Sequence, residues 1–194
     1  MNCRHLRSLN VAEASATDAT LKAVAANCRE LRSLDVSNNK EAITDDSMTL
    51  IATNCRLLWS LNICSTSGNI TDASIKLVAM NCQELCHLNV AKTEGMVTDD
   101  SIALIATNCS HLQSLDVNGT NGKITDKSIS LIAAHCPQLH FLVVSHTNGA
   151  ITDTSMTLVA KNCRRLKYLD LAGTADAITE AATSLLPRRC FVLR

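Results

Sequence analysis

Apolar and polar positions along this chain follow two periods that take turns. In residues 31–36, LRSLDV, Leu34 and Val36 fall on one side and Ser33 and Asp35 on the other. That is the period of two of a strand with one face on a core. In residues 44–54, TDDSMTLIATN, Met48, Ile51 and Ala52 recur at helical spacing. Thr44 fits a helix N-cap, and Asp45 and Asp46 suit the positive end of the helix dipole. Asn54 fits a left-handed residue that closes the helix. Strand runs into helix and helix into the next strand, which implies parallel strands joined by right-handed crossovers.

The alternation is one unit written several times. Cys3, Cys28, Cys55, Cys82, Cys109, Cys136, Cys163 and Cys190 form a ladder whose first interval is 25 residues and whose other six are 27. Only Cys64 and Cys86 lie off it. The neighbours repeat with the cysteines as C-x-x-L-x-x-L-x-[VIL], a short variable loop, then [IV]-T-D-x-S-[IM]-x-L-[IV]-A-x-N. This divides the chain into units at about 3–27, 28–54, 55–81, 82–108, 109–135, 136–162 and 163–189, with a partial eighth at 190–194, in a single domain. One unit cannot bury both its strand and its helix, whereas stacked units can. The expected fold is an α/β solenoid, a right-handed horseshoe with a parallel sheet on the concave face and helices on the convex face. Parallel sheets are usually covered on both faces. Here the strand alternation leaves one face open.

The pattern C--L--L-V------ITD-SI-LIA-NC resembles the cysteine-containing class of leucine-rich repeats, typical of F-box proteins of ubiquitin ligases and their relatives. The resemblance covers essentially the whole chain. It implies that the repeats hold a protein partner, as the substrate-recognition part of such a receptor does. No segment of this sequence resembles an F-box, so ligase components are expected as partners only where a longer chain carries one. The alternative is a freestanding scaffold or effector with no ubiquitin link, self-associating through uncapped repeat ends.

Composition narrows the function classes. The 18 basic and 18 acidic residues cancel, which removes the electrostatic motive for nucleic acid or an anionic membrane. No apolar run approaches a membrane span. Ten cysteines with no signal segment ahead of them point to thiols in a reducing compartment, cytoplasm or nucleus.

The repeated residues also invite chemical readings. Zinc needs four converging ligands, and cysteines one per coil form a line; a small residue filling a tight slot accounts for them. Cys64 and Cys86, on or beside the strand face, are the expected reactive thiols. The Thr-Asp ladder from Thr17-Asp18 to Thr152-Asp153 is too sparse in acids for calcium, and helix capping suffices. Histidines scatter, with His87, His140 and His146 along the strand side, and no nucleophile–base arrangement emerges. Neither an enzyme nor a cofactor is expected.

Candidate binding residues come from the open face. The slot before the middle leucine reads Ser8, Ser33, Ser60, His87, Ser114, Phe141, Tyr168, and the slot after it reads Asn10, Asp35, Asn62, Asn89, Asp116, Val143, Asp170. The edge slot just before these is the most varied, with Arg7, Arg32, Trp59, Cys86, Gln113, His140 and Lys167. Only the sixth unit breaks both inner slots. The apolar run of residues 141–144 is therefore read as a strand with Leu142 and Val144 in the core and Phe141 and Val143 facing out, not as a strand buried on both sides. Trp59, Phe141 and Tyr168 take up three of the four aromatics in these slots, and Phe191 stands outside them in this alignment. Exposed aromatics on a rigid sheet are what hot spots look like, and burying Phe141 in a partner would contribute roughly 1.5–3 kcal/mol. The expected partner-binding set is Arg32, Asp35, Trp59, His87, Asp116, His140, Phe141, Val143, His146, Tyr168 and Asp170.

Overall fold

The computed structural model describes residues 3–39, 43–174 and 177–194. Its strands are three residues each: β1 (Ser8–Asn10), β2 (Ser33–Asp35), β3 (Ser60–Asn62), β4 (His87–Asn89), β5 (Ser114–Asp116), β6 (Phe141–Val143), β7 (Tyr168–Asp170) and β8 (Phe191–Leu193). They form one parallel sheet in chain order. Between them run α1 (Asp18–Asn27), α2 (Asp45–Asn54), α3 (Asp72–Asn81), α4 (Asp99–Asn108), α5 (Asp126–His135), α6 (Asp153–Asn162) and the short α7 (Glu180–Thr183). Each helix packs on the next, so the molecule is an α/β solenoid with strands lining one side and helices the other.

The register is uniform. Leu34, Leu61, Leu88, Leu115, Leu142 and Leu169 pair strand to strand, and all are buried. Met48, Ile51 and Ala52 of α2 and their counterparts Ile102, Ile105 and Ala106 of α4 pack behind them in the same core. Each such aliphatic residue contributes roughly 1.5–3 kcal/mol of burial, against chain entropy that a lone unit could not offset.

Three polar ladders run along the stack, and the first two tie coil to coil. In the first, the Asp that opens each helix reaches the helix start of the following coil. Asp99 accepts from the Thr125 amide at 2.9 Å, the Thr125 hydroxyl at 2.6 Å and the Ser128 hydroxyl at 2.5 Å, and Asp45, Asp72 and Asp126 repeat this. Meanwhile the cap threonines do what the sequence implies, with the Thr44 hydroxyl accepting from the Asp46 amide at 3.2 Å. Capping is thus half of the Thr-Asp signal. The other half is a bridge between coils that no single unit reveals. Burial works to raise the Asp126 carboxyl, but hydrogen bonds from Ser155 and Thr152 outweigh it and hold it below the ordinary carboxylate value.

In the second ladder each cysteine closes the helix before it. Cys55 stands at the C-cap of α2 with φ −104°, and its thiol donates to the Cys28 carbonyl at 3.4 Å. The thiols of Cys82, Cys109, Cys136 and Cys163 likewise reach the carbonyl of the previous cysteine. A weak S–H donor in a slot of this size serves the carbonyls that a helix end leaves free. Asn54 is not a left-handed closing residue: it lies in the last turn of α2, and the cap is the cysteine after it. The third ladder lies in the loop that looked merely variable. Thr66, Thr93, Thr120, Thr147 and Thr174 are buried there, each donating its hydroxyl to the carbonyl three residues back.

The end of the array departs from the 27-residue period. Phe191 pairs with Tyr168, only 23 residues back, because α7 is cut to four residues before Pro187. Cys190 therefore precedes β8 as Lys167 precedes β7, and is not a rung of the cysteine ladder. Phe191 in turn belongs to the outward slot from which the cysteine spacing had excluded it.

Candidate functional site

The sheet face opposite the helices presents two rows of side chains. In the row that follows the buried leucines, the short polar residues act first on their own strand ends. The Asp35 carboxylate accepts from the Ser37 amide at 2.9 Å, Asn62 from Cys64 at 3.0 Å, Asn89 from Ala91 at 2.9 Å, Asp116 from Asn118 at 2.9 Å and Asp170 from Ala172 at 2.9 Å. These are Asx turns at the ends of their strands. Among the described residues one side-chain bridge crosses this row, from Asn62 Nδ2 to Asp35 at 3.0 Å. Val143 can make no such turn. It sits between Asp116 and Asp170 in register, an apolar gap between two carboxylates. Burial, together with the Asp170 charge, pushes the Asp116 carboxyl up, against the pull of the Asn118 amide.

The other row carries the aromatics in two groups. Phe141, Tyr168 and Phe191 occupy directly paired positions on β6, β7 and β8. Their ring centroids are 5.8 Å and 5.9 Å apart, the second pair stacked. Phe141 keeps 47% of its surface exposed and Phe191 61%. With Val143 and the exposed Leu193 beside them, they make one apolar strip across three strands. Separately, Trp59, 43% exposed, lies edge-on to the His87 ring with centroids 4.3 Å apart. Burial, and then the charge of His140, push the His87 pKa down, so its ring is a neutral neighbour for the indole.

The expected binding residues thus divide. Phe141, Val143 and Tyr168 come together, and Trp59 and His87 form a pair of their own. Arg32 is exposed one strand from Trp59, and Asp35, Asp116 and Asp170 are half-buried turn-formers. His140 is half-buried on the edge before β6, its Nδ1 without a partner among the described residues. His146 is not on the strand face. It lies in the loop beyond β6 with φ 53°, packed so closely on Gly173 that a Cβ there would collide with its ring. Cys86 is also misplaced as a reactive thiol: it is 6% exposed, and burial pushes its pKa up. Phe191 and Leu193 are the open-face residues that sequence reasoning missed. Their signal was the aromatic-x-aliphatic spacing that Phe191 and Leu193 share with Phe141 and Val143, hidden by alignment on Cys190.

Among the described residues, no three His, Cys, Asp or Glu side chains gather as metal ligands. No described helix is long and apolar enough to cross a membrane.

A Leucine Rich repeat family model matches residues 27–52 and 108–133, each match spanning one strand and most of the helix after it. No curated protein sequence matches the chain. Among solved structures, that of the yeast Rad7 and Elc1 complex superposes over 91% of this chain and 44% of that one, with TM-score 0.74 and 19% identity. An internalin, InlF of Listeria monocytogenes, superposes over 89% of this chain and 43% of its own, with TM-score 0.60 and 24% identity. The chain spans less than half the length of either, and at these identities the likeness is one of fold. With the repeated sequence, the single in-register parallel sheet and the match of two units to that family model all in agreement, the chain folds as a leucine-rich-repeat solenoid.

Proposed function

We propose that the chain is a non-catalytic protein-binding module whose sheet face docks a partner through the Phe141–Tyr168–Phe191 strip. The observation that carries this reading is the strip itself. Outward positions elsewhere on the sheet are mostly Ser, Asn and Asp, while here three aromatic rings follow one another on paired strands, Phe141 and Phe191 exposed and Tyr168 half-buried between them. Exposed apolar surface of this kind is unfavourable unless a partner covers it, and a stacked coil scaffold holds it with little entropy left to lose. The Trp59–His87 pair is a second contact point on the same face. Ten cysteines that are all unpaired fit a reducing compartment, cytoplasm or nucleus.

Replacing Phe141 by Ser and Val143 by Asn restores the residue types of neighbouring units. Affinity capture with the intact chain and with this double variant tests the reading. Loss of the captured partner with an unchanged circular dichroism spectrum supports it, and capture of the same partner at equal yield rejects it.

The finer reading is substrate recognition for an F-box ubiquitin ligase. It rests on the repeat-class resemblance, with fold likeness to Rad7, a protein solved in complex with Elc1, as supporting context. Recovery of a ligase adaptor with the full-length gene product would favour it over a freestanding scaffold, and light scattering across a concentration series would expose self-association.

A further inference from the structure

Directly beside the aromatic strip is a cleft of about 750 Å³ lined by His140, Arg164, Arg165, Lys167, Arg188 and Arg189. It exists because the last coil is short. The truncation of α7 and the turn at Pro187, whose carbonyl accepts from the Cys190 amide at 2.8 Å, bring Arg188 and Arg189 back beside Arg164 and Arg165. In a regular coil the chain would still be helical at this distance from the preceding strand. Five cations therefore share one concavity and no carboxylate lines it. Among the described residues none of the five has an acidic partner within 4.0 Å. The guanidinium of Arg165 is held by Gln138 Oε1 at 2.6 Å, which fixes one fork of donors on the wall. His140 stands on the same wall.

Like charges gathered without counter-charge raise the free energy of the unliganded protein, and the chain as a whole is neutral. These five cations line one concavity, a shape that suits a compact anion. Arginine forks match tetrahedral oxyanions by paired hydrogen bonds. We propose that this cleft binds a phosphate group carried on a peptide segment of the partner, while apolar side chains of that segment lie on Phe141, Tyr168 and Phe191. This rests on the docking reading above and adds the chemistry of the partner: a phosphorylated sequence with a hydrophobic residue nearby.

Two measurements test it on the whole chain. In the first, inorganic pyrophosphate is titrated while arginine side-chain NMR signals are followed. Shifts confined to Arg164, Arg165, Arg188 and Arg189 are expected, and they should persist in Phe141→Ser. Shifts spread evenly over all arginines, or none, overturn the site. In the second, a degenerate dodecapeptide library with a central phosphoserine is compared with its unphosphorylated form. Retention should favour the phosphorylated library by about tenfold or more, the scale of charge-assisted hydrogen bonds, and Arg165→Gln with Arg189→Gln should remove the preference. Arg165→Lys with Arg189→Lys keeps the charge and loses the forks, so it should retain only part of it. Equal retention of both libraries, or tighter binding of a single-stranded oligonucleotide than of phosphopeptide, overturns the proposal. Loss of partner capture in Phe141→Ser alongside an unaltered pyrophosphate response separates the cleft from the strip.

Discussion

The ring of Tyr168 lies between those of Phe141 and Phe191, with centroids 5.8 Å from the first and 5.9 Å from the second. The contact is set by register, since the three residues occupy one slot on consecutive strands. A double-mutant cycle on Phe141→Ala and Tyr168→Ala should therefore show a coupling of about 0.5–1.5 kcal/mol in chemical unfolding. Because both rings face solvent, each single change should cost less than a core truncation such as Leu142→Ala, expected at about 2–5 kcal/mol. Additive effects in the cycle would mean the rings do not meet in solution.

The coil-to-coil carboxylates predict an acid sensitivity. Hydrogen bonds from Ser155 and Thr152 hold the Asp126 carboxyl below its ordinary value despite burial, so its contribution is present above the unfolded-state pKa of about 4 and fades as pH falls through the lower folded value. Asp126→Ala leaves the fully buried Ser155 hydroxyl without its acceptor, at a cost of about 1–3 kcal/mol at neutral pH. The gap between wild type and variant in urea midpoint should narrow below about pH 4. A gap that is constant with pH would show that the carboxylate charge has no part in the ladder.

Asp116 should behave in the opposite sense. Burial raises its carboxyl pKa, with Asp170 adding to the effect. A raised acid pKa means stability falls as pH rises through the unfolded value towards the folded one. Asn holds the same slot at Asn62 and Asn89 and keeps the side-chain oxygen that the Asn118 amide needs. Asp116→Asn is thus expected to raise the thermal midpoint at pH 7 and to leave it unchanged below about pH 3.5, under the unfolded-state value. A lowered midpoint at neutral pH would show that the charge itself is used.

Thiol reactivity should sort by ladder position. Burial pushes Cys82, Cys109 and Cys136 up to about 12 and Cys55 and Cys163 up to about 11, so at pH 8 they carry almost no thiolate. Brief alkylation of the native chain, read by peptide mass spectrometry, should label the exposed Cys3 and the half-buried Cys64 well before any of these five. Comparable labelling of Cys109 and Cys64 without denaturant would contradict the closed stack.

Much of this molecule could be read from its letters because a repeat converts tertiary structure into period. Once Leu34 and Leu61 are known to be one slot in consecutive units, their pairing in the sheet follows, and so does the burial of Cys55 beside Cys82. The outward placement of Phe141 and Val143 was legible for the same reason. What one unit in isolation does not contain is the contact between units. Asp99 looks like a helix-opening acid until Thr125 and Ser128 are seen to donate to it, and Thr120 looks like a loop residue until the coil closes over it.

The sequence alone determined the unit, its strand and helix, the order of stacking and the face left open, since these depend on periodicity and on which residues water excludes. Only the tertiary structure decided where the period fails. A four-residue α7 lets Phe191 slide into register with Tyr168 and folds Arg188 and Arg189 back towards Arg164 and Arg165. Spacing along a chain cannot show this, because side chains meet according to how the backbone is packed, not according to the count of residues between them.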